Sequence, residues 1–317
     1  MRVILVTPAP PRSRAGNRTT AARWAGILRD LGHRVTVTVD YRGEPCDLMV
    51  ALHAWRSADA VAAFAERWPG RPLIIALTGT DLYKFIRSHP APSLRSIALA
   101  DRLVTLHALA YREIPPEHHA RVRVIYQSAR PLPRRLPPRA RRFEVVVAGH
   151  LREEKDPLRA AYAVRDVPAA SRLFVAHYGG AHGPDWAEAA RAEMATNPRY
   201  RWLGEVPYWR VRQAYARARL MVVSSRMEGG ANVVSEAVVA GLPIVGSDIP
   251  GNVGLLGEDY PGYYPVEDSA ALRALLLRCE SDPDFYRSLE TACAERAPLF
   301  TPAREREAWQ ALLRELA

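Results

Sequence analysis

Lysine is nearly absent from this chain: Lys84 and Lys155 are the only two in 317 residues, and arginine supplies the rest of the 44 basic side chains. The net charge of +10 is therefore a scatter of arginines along the whole sequence, which raises the pI without building a patch for a polyanion. Cysteine is also scarce. Cys46, Cys279 and Cys293 are odd in number and never paired as C-x-x-C, so neither a disulfide framework nor a thiolate zinc site is suggested. No apolar run is long enough to span a bilayer, and the opening MRVILVTPAPP is too short and too rich in proline for a secretory signal. No membrane insertion is expected, and the cytoplasm is the expected compartment. No strand-to-helix turn carries G-x-G-x-x-G, and GGAHG at 179–183 has the wrong spacing, which sets a nicotinamide dehydrogenase aside.

Metal-binding patterns are missing as well. The one Asp-x-Asp, Asp282-Pro283-Asp284, reads as a helix N-cap followed by proline in the first turn. His118 and His119 have no further ligand at a suitable spacing. No metal and no cofactor are expected. The arginine-rich RRLPPRARR lacks the interleaved aromatics on which single-strand readers stack bases, so nucleic acid is not an expected partner.

What the sequence does contain is 48% hydrophobic residues, enough core for two domains. The first half alternates short apolar runs (RVILVT, HRVTVTV, DLMVALH, PLIIALTG, DRLVTLH, VRVIYQ) with amphipathic, helix-length segments at 17–31 and 55–68. Strands alternating with helices predict a parallel sheet covered on both faces. ARPLPRRLPPRARR, 129–142, has too many prolines for regular structure and reads as an interdomain linker. The alternation restarts with FEVVVAG, RLFVAHYG, YRWLGEV, RLMVVSS and PIVGSDI, with helices expected at 156–165, 185–196, 207–217 and 231–240. Only helical patterns follow Pro265. The expected fold class is α/β, two Rossmann-like doubly wound domains, 1–135 and 136–300, facing across a cleft into which the carboxyl ends of both sheets point.

Within the second domain, EGGANVVSE at 228–236 sits between an apolar strand and a helix. A helix beginning near Ala231 turns its opening amides and positive dipole end toward the loop, which suits an anion. Gly229 and Gly230 let the anion approach the backbone. A carboxylate beside a phosphate is repelled, so Glu228 and Glu236 must serve other groups, and the vicinal hydroxyls of sugars are matching donors. A nucleoside-diphosphate sugar satisfies the whole stretch. Taken by themselves, the two glutamates also read as a capping group and an exposed helix residue.

The longer segment SSRMEGGANVVSEAVVAGLPIVGSD resembles the signature of family 4 glycosyltransferases: a serine at the strand end, Glu-Gly, seven residues between glutamates, and Gly-x-Pro-x-Val. VVVAGHLREEKDP is similar to that family's Gly-Arg-Leu motif with its following lysine. The resemblance implies a GT-B fold, a UDP-sugar as substrate, and a metal-free way of holding the leaving diphosphate. Carried over by position, it puts Glu228 on the hexose and Glu236 on the ribose. Gly229, Gly230, Ala231, Asn232 and Val233 cradle the diphosphate, which Lys155 neutralises. His150 stands where the family has arginine, with Arg152 available to compensate. Val206 supplies backbone against the base, and a final helix within 301–317 crosses back to the first domain.

On the acceptor side, Arg12, Arg14 and Arg18 crowd a helix start at Gly16 and Asn17, which reads as a second anion site or as three solvated loop arginines. Thr78, Gly79, Thr80 and Lys84 follow another strand, and His53 ends a third. RAGNRTTAARWA, LTGTDLYKF, VIYQSAR and AGHLREEKDPLRAA together look like the selenosugar synthases of selenoneine biosynthesis. That resemblance implies selenophosphate as acceptor, bound by Gly16, Asn17, Arg18, His53, Thr80, Lys84 and Gln127. The other reading within the family is extension of a polysaccharide or lipid-linked glycan.

Overall fold

Five-residue runs such as LMVAL and LIIAL have no polar position to offer to water, so as strands they must be covered on both faces. The computed structural model describes residues 1–13 and 16–316 and divides into two compact units, Met1–Gln127 with Pro302–Ala317, and Ser128–Thr301. Arg14 lies outside the described residues. The first unit opens with β1 (Arg2–Val6), α1 (Gly16–Asp30) and β2 (Arg34–Thr38), then β3 (Leu48–Leu52), α2 (Ala58–Arg67) and β4 (Leu73–Leu77). A π-helical turn, Asp81–Phe85, leads into the short α3 (Ile86–Ser88), and α4 (Pro90–Leu99), β5 (Arg102–Thr105) and β6 (Val122–Val124) complete the sheet. All pairings are parallel, in the order β2-β1-β3-β4-β5-β6. Central β3 and β4 are buried at every position, while β2 at the edge is half-exposed. The chain order reverses between β1 and β3, so the loops after β1, β3 and β4 leave the sheet side by side at its carboxyl edge.

The second unit runs β7 (Phe143–Ala148), α5 (Arg159–Ala163), β8 (Leu173–Tyr178), α6 (Pro184–Thr196) and β9 (Tyr200–Trp202). It continues α7 (Tyr208–Arg217), β10 (Leu220–Val223), α8 (Asn232–Val239), β11 (Ile244–Ser247), α9 (Pro250–Leu256) and β12 (Tyr263–Tyr264), and ends in α10 (Ser269–Ser281) and α11 (Pro283–Arg296). Its sheet is again parallel, ordered β12-β11-β10-β7-β8-β9. Asp282 caps α11, its carboxylate accepting the Asp284 and Phe285 amides at 3.1 and 3.0 Å. Among the described residues no helix is long and apolar enough to cross a membrane.

The last helix, α12 (Pro302–Arg314), belongs to the first unit. Trp309 and Leu312 enter the core layer formed by Trp24 and Leu28 of α1 with Val50 and Ile74 of the sheet. Trp24 and Trp309 meet edge to face at 4.9 Å, and Trp24 Nε1 donates to the buried Glu305 at 2.8 Å.

Three local features differ from the sequence reading. The helix expected at 156–165 starts only at Arg159, because Asp156 takes a left-handed conformation (φ 42°) before Pro157, and a residue preceding proline is disfavoured in a helix. The stretch 129–142 has no regular element, yet it is fastened to the second unit. Leu136 N donates to Ala216 O at 2.9 Å, Arg212 donates to the carbonyls of Arg130 and Pro131, and Arg135 donates to those of Tyr215 and Ala218. The segment that follows β4, read from sequence only as coming after a strand, forms the π-helical turn.

Candidate active site

β10 carries the chain into Ser224 and Ser225, both buried, and from there through the glycine-containing loop into α8. The residue before α8, Ala231, has no side-chain oxygen, so the helix opens without a side-chain cap. Glu228 is only 7% exposed. A carboxylate so buried requires partners. Ser225 Oγ donates to its Oε1 at 2.5 Å, and the Lys155 ammonium forms an ion pair with the same oxygen. Lys155 reaches this position because its own turn is stitched to the strand end: Ser224 Oγ donates to Asp156 O at 2.9 Å, and Arg226 N to Glu154 O at 2.9 Å.

One turn into α8, Glu236 accepts hydrogen bonds from Tyr208 and Tyr215, each at 3.1 Å and one to each carboxylate oxygen. Burial first, and the Glu236 charge second, push the Tyr215 phenol well above its ordinary value, so it stays a donor. Both tyrosines stand on α7.

At the carboxyl end of β7, His150 Nδ1 accepts the Gly180 amide at 3.2 Å, and its ring lies 5.0 Å from His182. Burial, followed by the neighbouring His150, lowers the His182 pKa. Arg152 is half-buried; its Nε has no hydrogen-bond partner, and Glu154 is 3.9 Å away. A single recess is lined by His150, Lys155, Ser225, Glu228 and Val233. Glu236, Arg152 and Val206 lie outside that lining.

Of the residues expected on the acceptor side, Gly16, Asn17 and Arg18 follow β1, His53 follows β3, Thr80 and Lys84 follow β4, and Gln127 follows β6. Gly16, Asn17 and Arg18 open α1, and Arg18 makes no ion pair with the described residues. Lys84 is exposed, with its ammonium 6.0 Å from the Phe85 ring. His53 and Gln127 are not at the surface. Gln127 is 2% exposed and donates to Thr20 Oγ1 at 2.6 Å. His53 is wholly buried, accepts the Arg56 amide on Nδ1 at 3.2 Å, and from Nε2 bonds Thr80 Oγ1 at 3.0 Å. Burial lowers the His53 pKa to about 3 and raises that of the adjoining Asp81 to about 7. Asp81 accepts the Ala54 amide and the Thr78 hydroxyl, each at 3.0 Å. His53 itself has a positive φ of 75°, uncommon for a side chain of this size.

Several participants escape a reading by motif. Gly251 in α9 faces the Glu228 backbone so closely that a Cβ there would stand 2.1 Å from the Glu228 carbonyl oxygen. Tyr208 and Tyr215 read as ordinary amphipathic helix positions. Trp55 and Phe85 stack at 4.0 Å with His89 beside them, a cluster contributed by the segment after β3, the end of the π-helical turn and the residue between α3 and α4.

Two parallel six-stranded sheets with helices on both faces constitute the GT-B fold of the glycosyltransferases. The chain belongs to the family described as glycosyl transferases group 1, whose model matches residues 130–298. Among solved structures it is similar to sucrose-phosphate synthase from Thermosynechococcus elongatus, at 17% identity and a TM-score of 0.83, with 100% of this chain and 99% of that one covered. Anabaena HepE in complex with UDP and glucose matches at 15% identity and a TM-score of 0.77, with both chains covered in full at 100%. A glycosyltransferase from Rickettsia africae matches at 11% identity and 0.76, with 99% and 98% covered. No curated protein sequence matches the chain.

Proposed function

We propose that this transferase moves a hexosyl group from a UDP-sugar, UDP-N-acetylglucosamine or UDP-glucose, to selenophosphate, giving a 1-selenosugar. The observation that carries the donor half is the buried Glu228–Lys155 pair at the uncapped start of α8, with Glu236 held one turn further on. Breaking the anomeric C–O bond leaves negative charge on the nucleoside diphosphate. Lys155 and the α8 amides stabilise that charge without rearranging, assisted by Arg152 and His150. Glu228 then accepts from the hexose hydroxyls and Glu236 from the ribose, with Val206 beside the base. The UDP and glucose held by HepE support this choice of donor.

For the acceptor, Arg18 in the first turn of α1 and Lys84 in the π-helical turn after β4 have no carboxylate partner among the described residues, and Thr80 brings a hydroxyl just before that turn. A small multiply charged anion suits such a set. Selenium arrives already anionic, so no general base has to remove a proton. The Se–C bond forms as the C–O bond to UDP breaks, and the phosphoryl group on selenium then passes to water. The Trp55–Phe85 stack beside Lys84 favours a second reading, transfer to the sugar of a polysaccharide or lipid-linked glycan, since apolar sugar faces pack on aromatic rings.

Mass spectrometry separates the two. Incubating the protein with either UDP-sugar and enzymatically generated selenophosphate, with no added metal, is expected to yield UDP and a selenosugar. UDP release and glycan extension without any selenium-containing product would reject selenophosphate and retain the transferase.

A further inference from the structure

A second recess of about 640 Å³ lies in the Ser128–Thr301 unit, on one face of β7, β8 and β9. The register sets Glu144 beside Phe174, and Ala176 between Val146 and Arg201, so Glu144, Phe174, Ala176, Tyr178 and Arg201 share that face. Helix α7 covers part of it, and the rest is open. This is a different place from the recess of Lys155 and Glu228; of the residues assigned above to the donor, only Val206 lines it.

Its chemistry is lopsided. Five guanidinium groups line it, from Arg139, Arg142, Arg201, Arg210 and Arg217, against the single carboxylate of Glu144. Arg142 rests on the Phe174 ring at 3.9 Å, and among the described residues Arg142, Arg201, Arg210 and Arg217 pair with no carboxylate. Glu144 is 6% exposed, yet its Oε2 accepts no hydrogen bond, with the Arg139 guanidinium 3.5 Å away. A buried acceptor without a donor is uncommon in native proteins and calls for a partner.

We propose that this recess binds a phosphate ester that carries free hydroxyls: phosphate oxygens meet the arginines, a hydroxyl donates to Glu144, and a flat portion packs against the Arg142–Phe174 stack. The volume is that of a small-molecule site, and the planar guanidinium fork matches phosphate oxygens in pairs. A sugar phosphate and a nucleoside monophosphate share this chemistry. They differ in whether a base is present to use Phe174.

The test is calorimetric titration of the full chain at low salt with ribose 5-phosphate and with AMP. Binding of at least one is expected, weakened tenfold or more in Arg142→Ala/Arg217→Ala, both exposed positions whose loss leaves the core intact. Arg287→Ala/Arg304→Ala removes equal charge from exposed helices elsewhere and is expected to leave binding unchanged. Tighter binding of AMP identifies a nucleoside phosphate, and equal binding a sugar phosphate. No binding of either probe at 10 mM on the order expected for weak sites, binding that survives the first double substitution, or equal weakening in both overturns the proposal.

Discussion

Glu228 and Lys155 pair between two separate segments of the second unit. Each is held mostly away from water, with the side chains 8% and 19% exposed, so each depends on the other for its charge. Removing one partner of such a pair leaves a buried charge uncompensated, whereas removing both does not. Lys155→Met is therefore expected to lower stability by about 3 kcal/mol, and adding Glu228→Gln to recover most of that loss. Urea unfolding of the two variants checks this, and strictly additive losses would contradict it. Both side chains stand in short segments, EGGANVVSE and REEKDP, whose roles came from the family resemblance and not from spacing. The burial of His53 and Gln127 was not legible in sequence, since it depends on Thr80 and Thr20, which are distant along the chain.

At the scale of elements, the tight feature is α9 against the loop before α8. Gly251 has ordinary negative φ, so its role is close approach: an added Cβ would meet the Glu228 carbonyl oxygen at 2.1 Å and its carbon at 2.8 Å. Backbone cannot yield as a flexible side chain can, and overpacking of this sort costs about 1–3 kcal/mol. Gly251→Ala is accordingly expected to lower the melting temperature and to displace Glu228. Gly26→Ala in α1, where nothing beyond the local backbone of its own helix lies within 4 Å of the new Cβ, is expected to be neutral or to stabilise by up to about 1 kcal/mol. Equal melting temperatures for the two variants would show that α9 is free to withdraw. Alternating strands and helices were legible because period and length announce them. Helix α9 was not, since PGNVGLL has little amphipathic contrast, and the two-residue β12 is too short to carry a pattern. The π-helical turn after β4 has no local signal either; it follows from Asp81 turning inward to the Ala54 amide and the Thr78 hydroxyl.

Across the whole molecule, buried histidines decide how stability responds to acid. Desolvation lowers His53 to about 3, and His107 and His177 each to about 4. Hydrogen bonds suit the neutral rings: His177 lies between Tyr200 Oη and Gly149 O, each at 3.1 Å. Unfolded, these histidines titrate near 6.5, so below that pH the unfolded chain binds protons that the folded chain refuses, and stability falls as the pH drops. Asp81, raised to about 7 by burial, acts with the opposite sign, because between 7 and its unfolded value the folded state holds the extra proton. From pH 7 to 5 each histidine withdraws about 2 kcal/mol, and three outweigh one aspartate. Glu315, held down to about 2 by Arg123 and Arg102, loses its contribution only below the carboxylate range and leaves this window undisturbed. The urea midpoint is thus expected to fall between pH 7 and 5. His177→Gln, which keeps a donor and an acceptor at that place, should flatten the fall in the Ser128–Thr301 unit. A midpoint that rose on acidification would mean that these histidines reach water in the folded chain.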